Sequence, residues 1–114
     1  MFKSQTKVID TKEGRAWFTV TDIESLNSIG FRMGNALSVL TFAENYSKDM
    51  RLFFLIEEAS NKVLVNASFS KEDHSEHMIV GPRNVPYGTQ YEDDVKMLRD
   101  HVKTLSEANS TASR

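Results

Sequence analysis

Arg51-Leu52-Phe53-Phe54-Leu55-Ile56 is almost continuously apolar. After the polar stretch Glu57-Glu58-Ala59-Ser60-Asn61-Lys62 a second apolar run follows, Val63-Leu64-Val65-Asn66-Ala67-Ser68-Phe69. Two runs of this length, rich in aromatic and aliphatic side chains and separated by turn-forming residues, read as an antiparallel strand pair. Their length decides against helices, which need ten or more residues to form a turn-periodic face. Side chains alternate between the faces of a strand. That rule puts Leu52, Phe54 and Ile56 on one face, expected to be shared with Val63, Val65, Ala67 and Phe69, and turns Phe53, Leu55 and Leu64 to the reverse face.

Working outward, Ser70 to His77 is a polar connection and Met78-Ile79-Val80 a third short strand, stopped by Gly81-Pro82. Upstream, Lys7 to Thr21 reads as a hairpin: Val8-Ile9, a loop ending in Gly14, then Arg15-Ala16-Trp17-Phe18-Thr19-Val20. Ala16, Phe18 and Val20 are expected to face the core, which sends Arg15 and Trp17 to the reverse face. Thr21-Asp22-Ile23-Glu24 has capping-box form. The apolar stripe Ile23, Leu26, Ile29, Met33, Leu37, Leu40 predicts a helix reaching about Tyr46, with a kink or break near Ser28 to Gly30. Thr89-Gln90-Tyr91-Glu92 repeats the capping-box form ahead of a last helix with Val95, Leu98, Val102 and Leu105 on one seam. The order is ββ-α-βββ-α: an α+β fold with a small antiparallel sheet of four to five strands and two amphipathic helices. A single domain over residues 1–105 is expected, with a disordered tail at 106–114, where the residues turn small and polar.

Composition fits this reading. The chain has 114 residues, 39% hydrophobic and 26% charged, a net charge of −2 and no cysteine. One domain of this size can bury a core without disulfides. Thiol catalysis and thiolate zinc sites are excluded, and a reducing, cytoplasmic setting is expected. No apolar run approaches the roughly 18 residues of a membrane span, so no membrane contact is expected. Cationic and anionic residues are scattered, without the basic stripe of a nucleic-acid footprint.

Metal-type side chains crowd together in one place, Glu72-Asp73-His74-Ser75-Glu76-His77. A small metal-dependent enzyme using His74 and His77 is one reading. The segment reads better as an exposed charged connection, because a metal site needs a further ligand at a definite place, so no metal and no cofactor is expected. Gly30, Gly34 and Ser38 lie on one helical ridge, which signals close approach to another element rather than a phosphate loop, since no Lys-Ser/Thr pair follows. The chain has no G-x-S-x-G elbow, and Asp93 and Asp94 are explained by the dipole of the last helix.

The reverse face carries more apolar side chains than one core needs. Arg15, Trp17, Phe53 and Leu55 on that face, with Arg83 and Tyr87 in the Gly81–Gly88 loop, are the expected partner-binding residues. The expected function is that of a small, non-catalytic interaction or regulatory protein, such as an inhibitor, adaptor or accessory factor. It would dock a preformed surface on a protein partner, or on a second copy as a homodimer. The alternative is binding of single-stranded nucleic acid or a nucleotide by stacking bases on the Arg15 and Trp17 face.

Overall fold

The apolar run at 51–56 becomes the middle of the sheet. In the computed structural model, which describes residues 1–12 and 14–112, five antiparallel strands lie side by side in chain order. They are β1 (Thr6–Asp10), β2 (Arg15–Thr19), β3 (Met50–Glu57), β4 (Lys62–Ser70) and β5 (Glu76–Val80). Strand β3 is central, and its residues Leu52 to Ile56 are all buried, which explains why its sequence does not alternate. The edge strands β1 and β5 carry the polar and half-exposed sequences that an edge tolerates.

Helices cover both faces. On one lie α1 (Ile23–Met33), a 3₁₀ turn at Ala36–Ser38 and α2 (Leu40–Asp49); on the other lies α3 (Glu92–Ala112). Each face has its own core. Phe18, Leu26, Ile29, Met33, Phe54 and Ile56 pack together beneath α1, and Trp17, Phe53, Leu55, Val95, Leu98 and Val102 pack beneath α3. Full burial of such side chains contributes about 1.5–3 kcal/mol each, so both covers hold the sheet firmly.

Several expectations need correcting. The cap of α1 is Asp22, not Thr21: its carboxylate accepts from Ser25 N, and Ser4 Oγ accepts from the Thr21 and Asp22 amides. The predicted long helix breaks at Gly34 rather than at Ser28–Gly30, because Gly34 takes φ 67° and ends α1 in a left-handed cap. Gly30 stays helical and serves close approach: a Cβ placed there would lie 2.0 Å from Ser38 N. Thr89 forms no capping box. A 3₁₀ turn at Thr89–Tyr91 leads into α3 without a side-chain cap. The tail expected from Ser106 onward falls on α3 as far as Ala112 and outside the described residues at 113–114.

The pleat of β4 also differs from the alternation expected. Register shifts between Leu55 and Ile56, so that Ile56 pairs with Val63 but Leu55 with Val65. This bulge sends Val65, Ala67 and Phe69 to the α3 core, and only Val63 remains with the α1 core. Asn66 and Ser68 consequently face α2.

Candidate functional site

The six residues expected to bind a partner divide into two groups. Trp17, Phe53 and Leu55 are 0%, 1% and 0% exposed, sealed beneath α3. Trp17 Nε1 donates to Asp94 O at 2.8 Å, and Arg15 Nη2 and Nε meet the two Asp94 carboxylate oxygens at 2.9 and 3.2 Å. The Arg15 guanidinium also lies 5.2 Å from the centre of the Tyr91 ring. The docking role expected of Trp17, Phe53 and Leu55 is therefore corrected, because side chains buried in this way present no surface to a partner; the Arg15 side chain, engaged by Asp94, keeps 10% exposure. Base stacking on the Arg15 and Trp17 face loses its surface for the same reason. Tyr87 is half-buried against the α3 core, leaving Arg83 as the one exposed member of the set.

Arg83 stands in a short 3₁₀ turn, Pro82–Asn84, that folds over the end of α1. Arg83 and Asn84 both have positive φ, 61° and 60°, an arrangement that costs a non-glycine residue roughly 1–2 kcal/mol. The turn is held by Gly81 N donating to Val85 O at 2.7 Å. Between it and α1 runs an open groove of about 510 Å³ lined by Phe31, Arg32, Met33, Gly34, Pro82, Arg83 and Val85. Phe31 is 71% and Val85 51% exposed.

The next residues along both segments, Asn35 and Asn84, line a second depression, a cavity of about 190 Å³ between α2 and the β4–β5 edge. Leu37, Phe42 and Met78 supply apolar wall. The Phe42 and Tyr46 rings stack at 5.0 Å, 18° from parallel. Tyr46 Oη and Ser68 Oγ are hydrogen-bonded at 2.7 Å; burial pushes the Tyr46 phenol above its ordinary pKa, against the opposing effect of that bond. Asn66 also lines the cavity, and its Oδ1 is buried without a hydrogen-bond partner among the described residues.

A second bulge shapes the rim. Ser68 pairs with Met78 and Phe69 with Glu76, leaving His77 as the extra residue of β5. The bulge carries His77 to the cavity side, 5.7 Å from the Tyr46 ring between ring centres. His74 instead lines a shallow depression on the α3 face with Phe69, Arg99 and Val102. The two histidines thus serve opposite faces of the sheet. Among the described residues, no group of three or more His, Cys, Asp or Glu side chains is placed to hold a metal ion. Nor is any helix among them long and apolar enough to cross a membrane.

Sequence reasoning passed over Phe31, Phe42, Tyr46, Asn66 and Ser68. The signal available was Asn66-x-Ser68, two polar residues at strand spacing inside an otherwise apolar run. The sequence matches no protein-family model, and comparison with curated proteins and with solved structures found no match.

Proposed function

We propose that this is a small non-catalytic interaction protein that docks the groove between α1 and the Arg83 turn on an acidic, apolar segment of a protein partner. The observation that carries this reading is the pairing of exposed Phe31 and Val85 with Arg32 and Arg83 in a groove that no acidic side chain among the described residues lines. Large apolar side chains beside Arg83, and beside Arg32, whose guanidinium lies 4.8 Å from the centre of the Phe2 ring, suit a segment that offers aliphatic or aromatic anchors between carboxylates. The left-handed backbone at Arg83 and Asn84 supports it further, since the fold holds this turn in a disfavoured conformation at the groove wall. A turn ordered in advance also loses little entropy on binding.

The test is selection from a displayed peptide library against the isolated protein. Enrichment of acidic sequences with apolar anchors is expected, with binding abolished in Arg83→Glu and Phe31→Asp while the melting temperature stays unchanged. Selected peptides that bind Arg83→Glu as well as the native chain would overturn the assignment. Self-association through the same groove would instead appear as a concentration-dependent mass in sedimentation, lost in Phe31→Asp.

A further inference from the structure

We infer that the cavity between α2 and β5 binds an uncharged, planar heteroaromatic ring whose edge carries a hydrogen-bond donor beside an acceptor. This inference stands apart from the docking groove and does not depend on it. Size comes first. A cavity of about 150 Å³ accommodates benzene, so the 190 Å³ here takes one ring with its polar substituents. The walls favour a flat, apolar body, because Leu37, Phe42 and Met78 line the space and the Tyr46 ring stacks behind Phe42. Among the described residues no Lys, Arg, Asp or Glu lines the cavity, whose polar lining is Asn35, Tyr46, Asn66, Ser68, His77 and Asn84, so a ligand charge would meet no permanently charged partner there.

Asn66 then selects the ring edge. A buried acceptor without a partner is rare in a folded protein and favours a ligand that supplies the missing donor. The same carboxamide carries two N–H donors, and rotation about its broad χ2 well would bring the amide edge, whose Oδ1 is sealed from solvent, to the cavity. The complementary group donates to Oδ1 and accepts from Nδ2. This is the bidentate geometry by which asparagine reads an adenine edge, and lactam-type rings offer it equally. The Tyr46 and Ser68 hydroxyls, already bonded to each other, add a further donor or acceptor at the same wall. A free small molecule and a base of a single-stranded nucleic acid present the same edge.

Amide-resolved NMR titration of the full chain with 2-pyridone, and with toluene as a ring lacking the edge, tests the assignment. Millimolar 2-pyridone should shift the Asn66 side-chain amide and the His77 and Met78 backbone amides. Toluene should bind about 10-fold more weakly, the worth of the amide pairing. In Asn66→Leu the preference should be lost, 2-pyridone binding no better than toluene, with a melting temperature unchanged or raised because the unpaired amide is gone. Equal affinity of the native chain for both probes, or no shift with either, overturns the inference without any variant. Uridine and a single-stranded oligouridylate separate the sources. Tighter, salt-sensitive binding of the oligonucleotide assigns the ring to a nucleic-acid strand, and equal affinity per site assigns it to a free molecule.

Discussion

Asp94, in the first turn of α3, holds Arg15 of β2 through both carboxylate oxygens, with its own side chain 0% and that of Arg15 10% exposed. One turn of helix is thereby fixed over one strand residue. The Asp94 carbonyl takes the Trp17 indole N–H from the next residue on the same strand face, so a single helix position answers two consecutive reverse-face side chains. A fork-to-fork pair is strongly directional, and at this depth the Asp94 carboxylate has no water as a substitute partner. The pair sets where α3 lies on the sheet.

Removing one member should therefore be expensive. Asp94→Ala takes both carboxylate hydrogen bonds from the Arg15 guanidinium and is expected to destabilise by about 3–5 kcal/mol, read as a lower denaturant midpoint. The double variant Arg15→Met, Asp94→Leu should lose markedly less, since it leaves no charge unpaired. Equal losses in the two variants would show that the packing of α3, and not the pairing, carries the energy.

Trp17 should report the cover directly. Its native emission is expected to be blue-shifted and inaccessible to iodide, and to move to the red on unfolding. Trp17→Ala should lower stability by about 3–5 kcal/mol through the void it opens. Any loss of partner binding in that variant should follow the unfolded fraction, and binding at a temperature where the variant is folded should match that of the native chain. Quenching of native Trp17 by iodide would contradict the sealed reverse face.

The two glycines of the α1 ridge should respond to alanine for different reasons. Alanine in a helix ordinarily stabilises by about 1 kcal/mol relative to glycine. Gly30→Ala should reverse that sign, because the new methyl meets backbone atoms of Leu37 and Ser38 at 2.3 and 2.0 Å, which no side-chain rotation relieves. Gly34→Ala has more room, with only the Arg83 Cγ at 3.4 Å, and should lose about 1–2 kcal/mol from its positive φ alone. Gly34→Asn should lose less, since asparagine tolerates the left-handed region. Thermal melts rank the three.

Acid should loosen the start of α1. Burial alone would push the Asp22 carboxyl up, but hydrogen bonds from Ser4 and Ser25 outweigh it and hold the group at about 2, below its ordinary 3.8. A depressed carboxylate pKa contributes stability that is present above the unfolded value and lost as pH falls toward the folded one. The contribution is thus full near neutrality and disappears between about pH 4 and pH 2. Asp22→Ala should be less stable than the native chain at pH 7, and the two should converge by pH 2.

Much of this fold was legible in the order of residues. The strands at 51–56 and 63–69, the Gly14 hairpin and the two helical stripes all follow from short-range periodicity, which depends only on the backbone repeat. The phase of β4 was not legible. One bulge opposite Leu55 and Ile56 moved Val65, Ala67 and Phe69 to the other face, and a local pattern carries no record of an extra residue in a ladder. The candidate sites were less legible still. Phe31, Arg83 and Val85 meet only because the turn after β5 folds back over the end of α1. Asn66 and His77 share a cavity only because two bulges set the strand faces.

By itself the sequence determined the class of the fold, the rough order of strands and helices along the chain and the surplus of apolar residues on the reverse face of the sheet. Those follow from interactions between near neighbours and from the two repeats a backbone can take. Only the tertiary structure decided what the surplus was for. Trp17, Phe53 and Leu55 proved to be a second core, because Arg15 and Trp17 bind Asp94 and bring α3 down upon them. Burial depends on which distant segment arrives, and the pairing of residue 15 with residue 94 is a property of the folded chain.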